Sequence, residues 1–166
     1  MLCFASKRTK AYFVMSKINW NYIAGFIDGE GSIVKNGEKD YRIAIPQTHE
    51  GVLKEIKSFT GVGNICKVKK RKDHWKESWI YYVAKQEDVF TVLKQIHPYS
   101  IVKKDIVLST IPKVAKIIYF SRRKKLNLEK KIKACKNLRK NGLSYRKIGA
   151  KLNIDHGYVR KLVLYK

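Results

Sequence analysis

The chain has 166 residues, with 37 Lys and Arg against 13 Asp and Glu for a formal charge of +24, and 45% of its residues are hydrophobic. That apolar share excludes a disordered basic tail and leaves room for one ordinary domain with a small appendage. The charge favours a polyphosphate partner, because each neutralised phosphate releases counterions; ribosomal and membrane-surface proteins share it, so it says nothing about catalysis.

Residues 1–16 read as an N-terminal extension of mixed basic and apolar character without a secretory layout, and Met15 offers an alternative start. Asn19 can cap a helix in which Trp20, Ile23, Ala24 and Ile27 recur at helical spacing. Gly25 and Gly29, four apart, leave a shallow groove where a second such helix could approach backbone to backbone. The helix ends in Gly29-Glu30-Gly31, so the carboxylate stands between two residues that cannot shield it from a metal ion or a phosphate. The plain alternative is a solvated acid in a Gly-Glu-Gly turn.

Beyond it the hydrophobic period changes. Residues 32–35 read as a strand, Asn36-Gly37 as a hairpin turn, and residues 41–45 as the returning strand. Residues 49–59 form an amphipathic pattern with Val52, Leu53, Ile56 and Phe59 on one side, closed by Gly61-Val62-Gly63. A second hairpin pairs 64–70 with 78–84 around the tip Arg71-Lys72-Asp73-His74. Helices follow over 87–96 and, past Pro98, over 101–117. The order is α-β-β-α-β-β-α, an α+β class. Cys3, Cys66 and Cys135 are odd in number and widely spaced, and the four histidines are scattered, so neither a zinc site nor a disulfide framework is expected. Lysines interrupt every apolar run before the roughly 20 residues that span a bilayer. The expected setting is intracellular, with no membrane partner and no small-molecule substrate.

Residues 23–31, Ile-Ala-Gly-Phe-Ile-Asp-Gly-Glu-Gly, resemble the signature of the LAGLIDADG homing endonucleases: seven of nine positions match or change conservatively, Phe26 and Gly29 being the exceptions. The resemblance extends over 17–118, because the element order is that of the family's saddle-shaped half-site fold. It implies that Glu30 is the catalytic acid and a metal ligand, with the Gly29 carbonyl as a second ligand. It also implies that Gln47, after Ile45-Pro46, positions water or metal, and that Lys103, after Pro98-Tyr99, approaches the active site. The residues alone allow Gln47 to be a helix cap and Lys103 to be a surface lysine. Some members carry a basic residue four positions after the glutamine; here that position is Gly51, so basic help would come from His49 or elsewhere.

A single motif holds half of a duplex-cutting centre. A homodimer packed through Gly25, Asp28 and Gly29 would bring two Glu30 side chains together, one per strand. Divalent metals can bind both attacking and leaving oxygens, and a carboxylate suits Mg²⁺, with Mn²⁺ as a substitute; two or three ions per dimer are implied. The expected activity is a metal-dependent staggered double-strand cut in a long, roughly palindromic DNA site, with an intron as the source of a freestanding chain.

Strand alternation turns Ser32, Val34 and Asn36, in step with Glu30, toward DNA, together with Arg42 and Ala44 on the second strand. On the third strand the face stays open: Lys67 and Lys69 share one side, Cys66, Val68 and Lys70 the other. Lys67 and Lys69 are nonetheless carried as DNA candidates, and Lys70 and Arg71 as phosphate contacts at the hairpin tip, which position without specifying.

The last third differs in character. Residues 119–166 carry 16 Lys and Arg against 2 Asp and Glu, +14 of the +24. A basic linker over 119–127 leads into 128–166, where a helix over 128–140 stops at Asn141-Gly142 and Ser144 caps the next. Asn153 sits at a tight turn and Asp155 caps a helix from His156 to about Leu164. This stretch resembles the helix-turn-helix of resolvase-type DNA-binding domains. That implies His156, Tyr158, Arg160 and Lys161 at the major groove, against the bland reading of a general three-helix appendage. Two rival functions remain: an RNA maturase on the same fold, and a DNA-binding regulator without catalysis.

Overall fold

A computed structural model describes residues 18–37, 40–70 and 72–165. The proposed N-terminal extension and Arg71 lie outside the described residues. The elements run α1 (Trp20–Gly29), β1 (Ser32–Asn36), β2 (Asp40–Gln47), α2 (Glu50–Thr60), β3 (Asn64–Lys67), β4 (Trp79–Val83), α3 (Gln86–Ile96), α4 (Lys104–Lys140), α5 (Tyr145–Leu152) and α6 (His156–Leu164). The expected α-β-β-α-β-β-α order is therefore present through the start of α4. The chain divides into two compact units, Met1–Val114 and Ala115–Lys166.

In the first unit the four strands form one antiparallel sheet in the order β1-β2-β4-β3. One sheet face is apolar: Ile43, Ile45, Tyr81 and Val83 are at most 2% exposed. They join Ile23, Ala24 and Ile27 of α1, Leu53 and Ile56 of α2, and Val89, Val92, Leu93 and Ile96 of α3 in the core. Alternation with period two on the strands and three-to-four on the helices is what lets these side chains meet. Caps define the helix starts. Asn19 Oδ1 accepts from Tyr22 N at 2.8 Å, and His49 Nδ1 accepts from Val52 N at 3.2 Å.

Two features differ from the sequence reading. α4 runs unbroken from Lys104 to Lys140, through the expected break at 118 and the stretch read as a linker. The reason is local: 113–140 contains no Gly or Pro and is rich in Lys, Arg and Leu, all good helix formers. The helix also begins three residues later than expected, because 101–103 form a turn captured by α1.

In the second unit, the 115–140 part of α4, α5 and α6 enclose a small core of Cys135, Ile148, Val159 and Leu162, with Leu128, Ile132, Leu138, Leu152 and Ile154 packed against it. Asn153 takes a left-handed conformation (φ 51°) between α5 and α6, and Ile154 N donates to Gly149 O at 3.0 Å. A Cβ on Gly149 would lie 2.7 Å from that Ile154 carbonyl, so the tight turn depends on the missing side chain.

Candidate active site and nucleic-acid interface

The solvent face of α1 carries Tyr22, Gly25 and Gly29, three and four apart, opposite the buried Ile23, Ala24 and Ile27. A Cβ on Gly25 or Gly29 would meet nothing within 4 Å among the described residues, so none of these covers this face. Glu30 caps the helix, its N–H donating to Phe26 O at 2.9 Å, and its side chain is exposed. The two flanking glycines do different work. Gly29 is exposed and leaves the carboxylate unscreened. Gly31 is buried, and a Cβ there would come within 2.7 Å of Ile27 Cα. The chain can thus leave the helix across its own last turn.

Asp28 is tied to a distant part of the chain. Its Oδ2 accepts from Ile101 N at 2.6 Å and Val102 N at 3.1 Å, and its Oδ1 from Lys103 N at 3.1 Å. These amides belong to the turn that leads into α4, and a carboxylate just before a helix N-terminus is also favoured by the helix dipole. Partial burial pushes the Asp28 pKa up, but the three amide donors and the Lys103 charge outweigh it and hold the group below its ordinary value. Asp28, the dimer-face candidate, thus also acts as a clasp within the chain.

Lys103 is brought to the same place. Its Nζ donates to Ile27 O at 2.9 Å and to the Asp28 carbonyl, putting its charge on the last turn of α1, directly before Glu30. A cation there also complements the negative end of the helix. Gln47 ends β2 at the same sheet end: Ser32 pairs with Ala44, so two residues before Ser32 and three after Ala44 both lead off that edge. Its Oε1 accepts from Thr48 N at 2.7 Å, so it is not the cap of α2. That role falls to His49, whose ring occupies the space over Gly51; a Cβ at Gly51 would lie 2.8 Å from His49 Cε1. With Nδ1 accepting from the Val52 amide, His49 is a capping residue.

The open sheet face follows from the register. Ser32, Val34 and Asn36 pair with Ala44, Arg42 and Asp40, and through β4 the same face carries Ile80, Tyr82, Asn64 and Cys66. Ser32, Val34, Asn36 and Arg42 thus lie where the alternation puts them. Ala44 shares the face but is 7% exposed, so it offers little surface. Lys67 is the exception. It pairs with Trp79 on the opposite face, its Nζ 2.7 Å from Glu77 Oε1 and 5.8 Å from the Trp79 ring centroid. It therefore lies off the open sheet face, which on β3 carries Asn64 and Cys66, a choice only the β3–β4 register could make. Lys69 and Lys70 are exposed just beyond β3.

In the second unit Asp155 Oδ1 accepts from Tyr158 N at 3.0 Å, an amide bond that leads the influences holding its carboxyl below the ordinary range. His156, Tyr158, Arg160 and Lys161 are all exposed on α6.

Among the described residues no three His, Cys, Asp or Glu side chains gather into a metal cage. The donors at the end of α1 are one hard carboxylate, Glu30, and the neighbouring Gly29 carbonyl. That sparse set fits Mg²⁺, which keeps several waters and takes one or two carboxylates.

A model of the LAGLIDADG endonuclease family matches residues 23–115, more than half the chain. The solved structures it resembles include the homing endonuclease I-CvuI in complex with its target, at 19% identity over 87% of this chain and 91% of that one (TM-score 0.49). The archaeal intron-encoded homing endonuclease I-Vdi141I complexed with DNA aligns at 19% identity over 86% and 92% (TM-score 0.47). The I-SmaMI LAGLIDADG homing endonuclease bound to cleaved DNA aligns at 19% over 66% of this chain (TM-score 0.50), and the chain spans 39% of its length. At such identities the likeness concerns the fold. No curated protein matches the chain.

Proposed function

The chain belongs to the LAGLIDADG endonuclease family, and from that premise we propose that it is a site-specific homing endonuclease acting on double-stranded DNA. The observation that carries the reading is the exposed Glu30 at the end of α1, with the Lys103 ammonium bonded to the preceding turn. Glu30 and the Gly29 carbonyl would hold a Mg²⁺ ion, which would neutralise charge at the scissile phosphate and ease deprotonation of the attacking water. Lys103 adds positive charge on the same side, and Gln47, its Oε1 bonded to the Thr48 amide, has an amide nitrogen suited to orienting water.

One chain carries one such acid, so cutting both strands requires two. The open Tyr22-Gly25-Gly29 face supports a homodimer joined along α1, and the neighbouring Ile101 and Val102, 84% and 77% exposed, support it further. Burying such β-branched side chains against a second copy yields about 1.5–3 kcal/mol each. The sheet face led by Arg42 would read base edges, and α6, with His156, Tyr158, Arg160 and Lys161 exposed, would enter a major groove in helix-turn-helix fashion. Among the described residues no helix is long and apolar enough to cross a membrane. A metal titration of duplex cleavage tests the reading: Mg²⁺ and Mn²⁺ restore cutting after chelation, and cutting undiminished in chelator contradicts it.

A further inference from the structure

The second unit holds a cleft whose α4 wall takes no part in the duplex reading proposed for α6, Tyr158 being shared by the two. It has a volume of about 590 Å³ and lies between one stripe of α4 (Phe120, Arg123, Lys124, Asn127, Lys131) and Tyr158 of α6. The stripe repeats at three, four, seven and eleven residues, so it is a single helix face. α4 enters the small core only at Leu128 and beyond, leaving 120–127 exposed as about two turns of helix past that core. The protruding wall carries Phe120 at 53% exposure, facing a cleft whose other side shows Tyr158 at 40%. Three cations line it and no carboxylate does, whereas the cleft on another face of the same helix includes Glu129, and its Lys136 is bonded to the Tyr165 carbonyl.

Cations alone would suit phosphate. Two exposed rings beside three cations suit something with both a charged backbone and a free flat face. In a duplex the base faces are stacked away; in a single strand they are available. Aromatic platforms along a positive groove are the general solution for single strands, with each stacked base contributing about 1–3 kcal/mol. The cleft's size falls within the ~300–1,000 Å³ typical of small-ligand pockets, enough for a base with its phosphate.

We propose that this cleft binds a single-stranded stretch of nucleic acid, a base stacking on Phe120 and Tyr158 while Arg123, Lys124 and Lys131 hold the phosphates. The test is fluorescence anisotropy on the full chain with short oligo(dT), oligo(U) and a fully paired hairpin. Phe120→Ala lowers affinity for the single strands about fivefold or more and leaves hairpin affinity unchanged, which also shows that the variant is folded. Phe120→Trp, which keeps a ring, retains single-strand binding. Replacing Arg123, Lys124 and Lys131 together by Gln reduces the slope of log affinity against log salt for single strands by about 2. Comparing the two oligonucleotides tells a DNA strand from an RNA strand within the same chemistry. Unchanged single-strand affinity in Phe120→Ala overturns the proposal. Equal losses for hairpin and single strand also overturn it, assigning the cleft to duplex contact.

Discussion

The end of α1 and the 115–166 unit treat charge in opposite ways. At α1 one carboxylate, Glu30, is left open while its surroundings are fixed: Asp28 clasps three amides of 101–103, and Lys103 is bonded to two carbonyls of the helix. In the second unit many cations are exposed; among the described residues Arg139 lies over Tyr145 and donates to the Leu143 carbonyl, and Lys136 donates to the Tyr165 carbonyl. Chemistry at a phosphate needs one group held in place; affinity for a polyanion needs many groups that need not be. The comparison therefore predicts that lesions in the first region change rate and lesions in the second change affinity.

The largest expected effect tests the second half of that statement. Removing residues 120–166 lowers DNA affinity about a hundredfold or more, since two linked binding modules become one, yet cleavage persists at high protein concentration. Equal affinity of the shortened chain in a binding titration would contradict it. A subtler lesion in the same unit is Gly149→Ala. Its new methyl meets the Ile154 carbonyl at 2.7 Å, where backbone must move, costing about 1–3 kcal/mol. Thermal unfolding should show that loss confined to the second unit.

In the first unit, Gly25→Leu separates fold from assembly. Among the described residues nothing lies within 4 Å of a Cβ there, so the fold accommodates the change, while a second α1 could no longer approach closely. Sedimentation should show an unaltered fold and a self-association weakened by about tenfold or more, an overpacking cost of at least 1–3 kcal/mol.

The smallest effect concerns Asp28. Asp28→Asn removes the charge but leaves an acceptor, lowering stability at neutral pH by about 0.5–2 kcal/mol. Because the folded-state pKa of Asp28 is held below the ordinary carboxylate value, its contribution is complete above the unfolded-state pKa and lost as pH falls through the lowered folded value. Wild type and Asp28→Asn should therefore converge in acid, as followed by denaturant unfolding at stepped pH. A constant difference down to strong acid would remove the carboxylate from the account.

Much of this arrangement is legible in the sequence because it is local. The α-β-β-α-β-β-α order rests on periodicity, the caps Asn19, Ser144 and Asp155 on short polar residues before apolar repeats, and the prominence of Glu30 on its flanking glycines. What escapes is long-range. Asp28 meets amides 73 to 75 residues away, which no pattern around position 28 announces. The face of Lys67 depends on pairing with β4, and alternating lysines along β3 look alike from either side. His49 as a cap was open to recognition, since it directly precedes the apolar repeat of α2. It was obscured because Asn, Asp, Ser and Thr fill that position far more often. The continuity of α4 was obscured by its basic run, which reads as a solvated linker although its residues favour helix.

The central claim is that Glu30 makes this chain a metal-dependent endonuclease. The most direct test is a cleavage selection on randomised duplex DNA with Mg²⁺, run with the wild type and with Glu30→Gln. The account predicts enrichment of one long, roughly palindromic cleaved site by the wild type alone, with binding of that site retained by Glu30→Gln. Equal cleavage by both proteins, or binding by the wild type without any cutting, would contradict it.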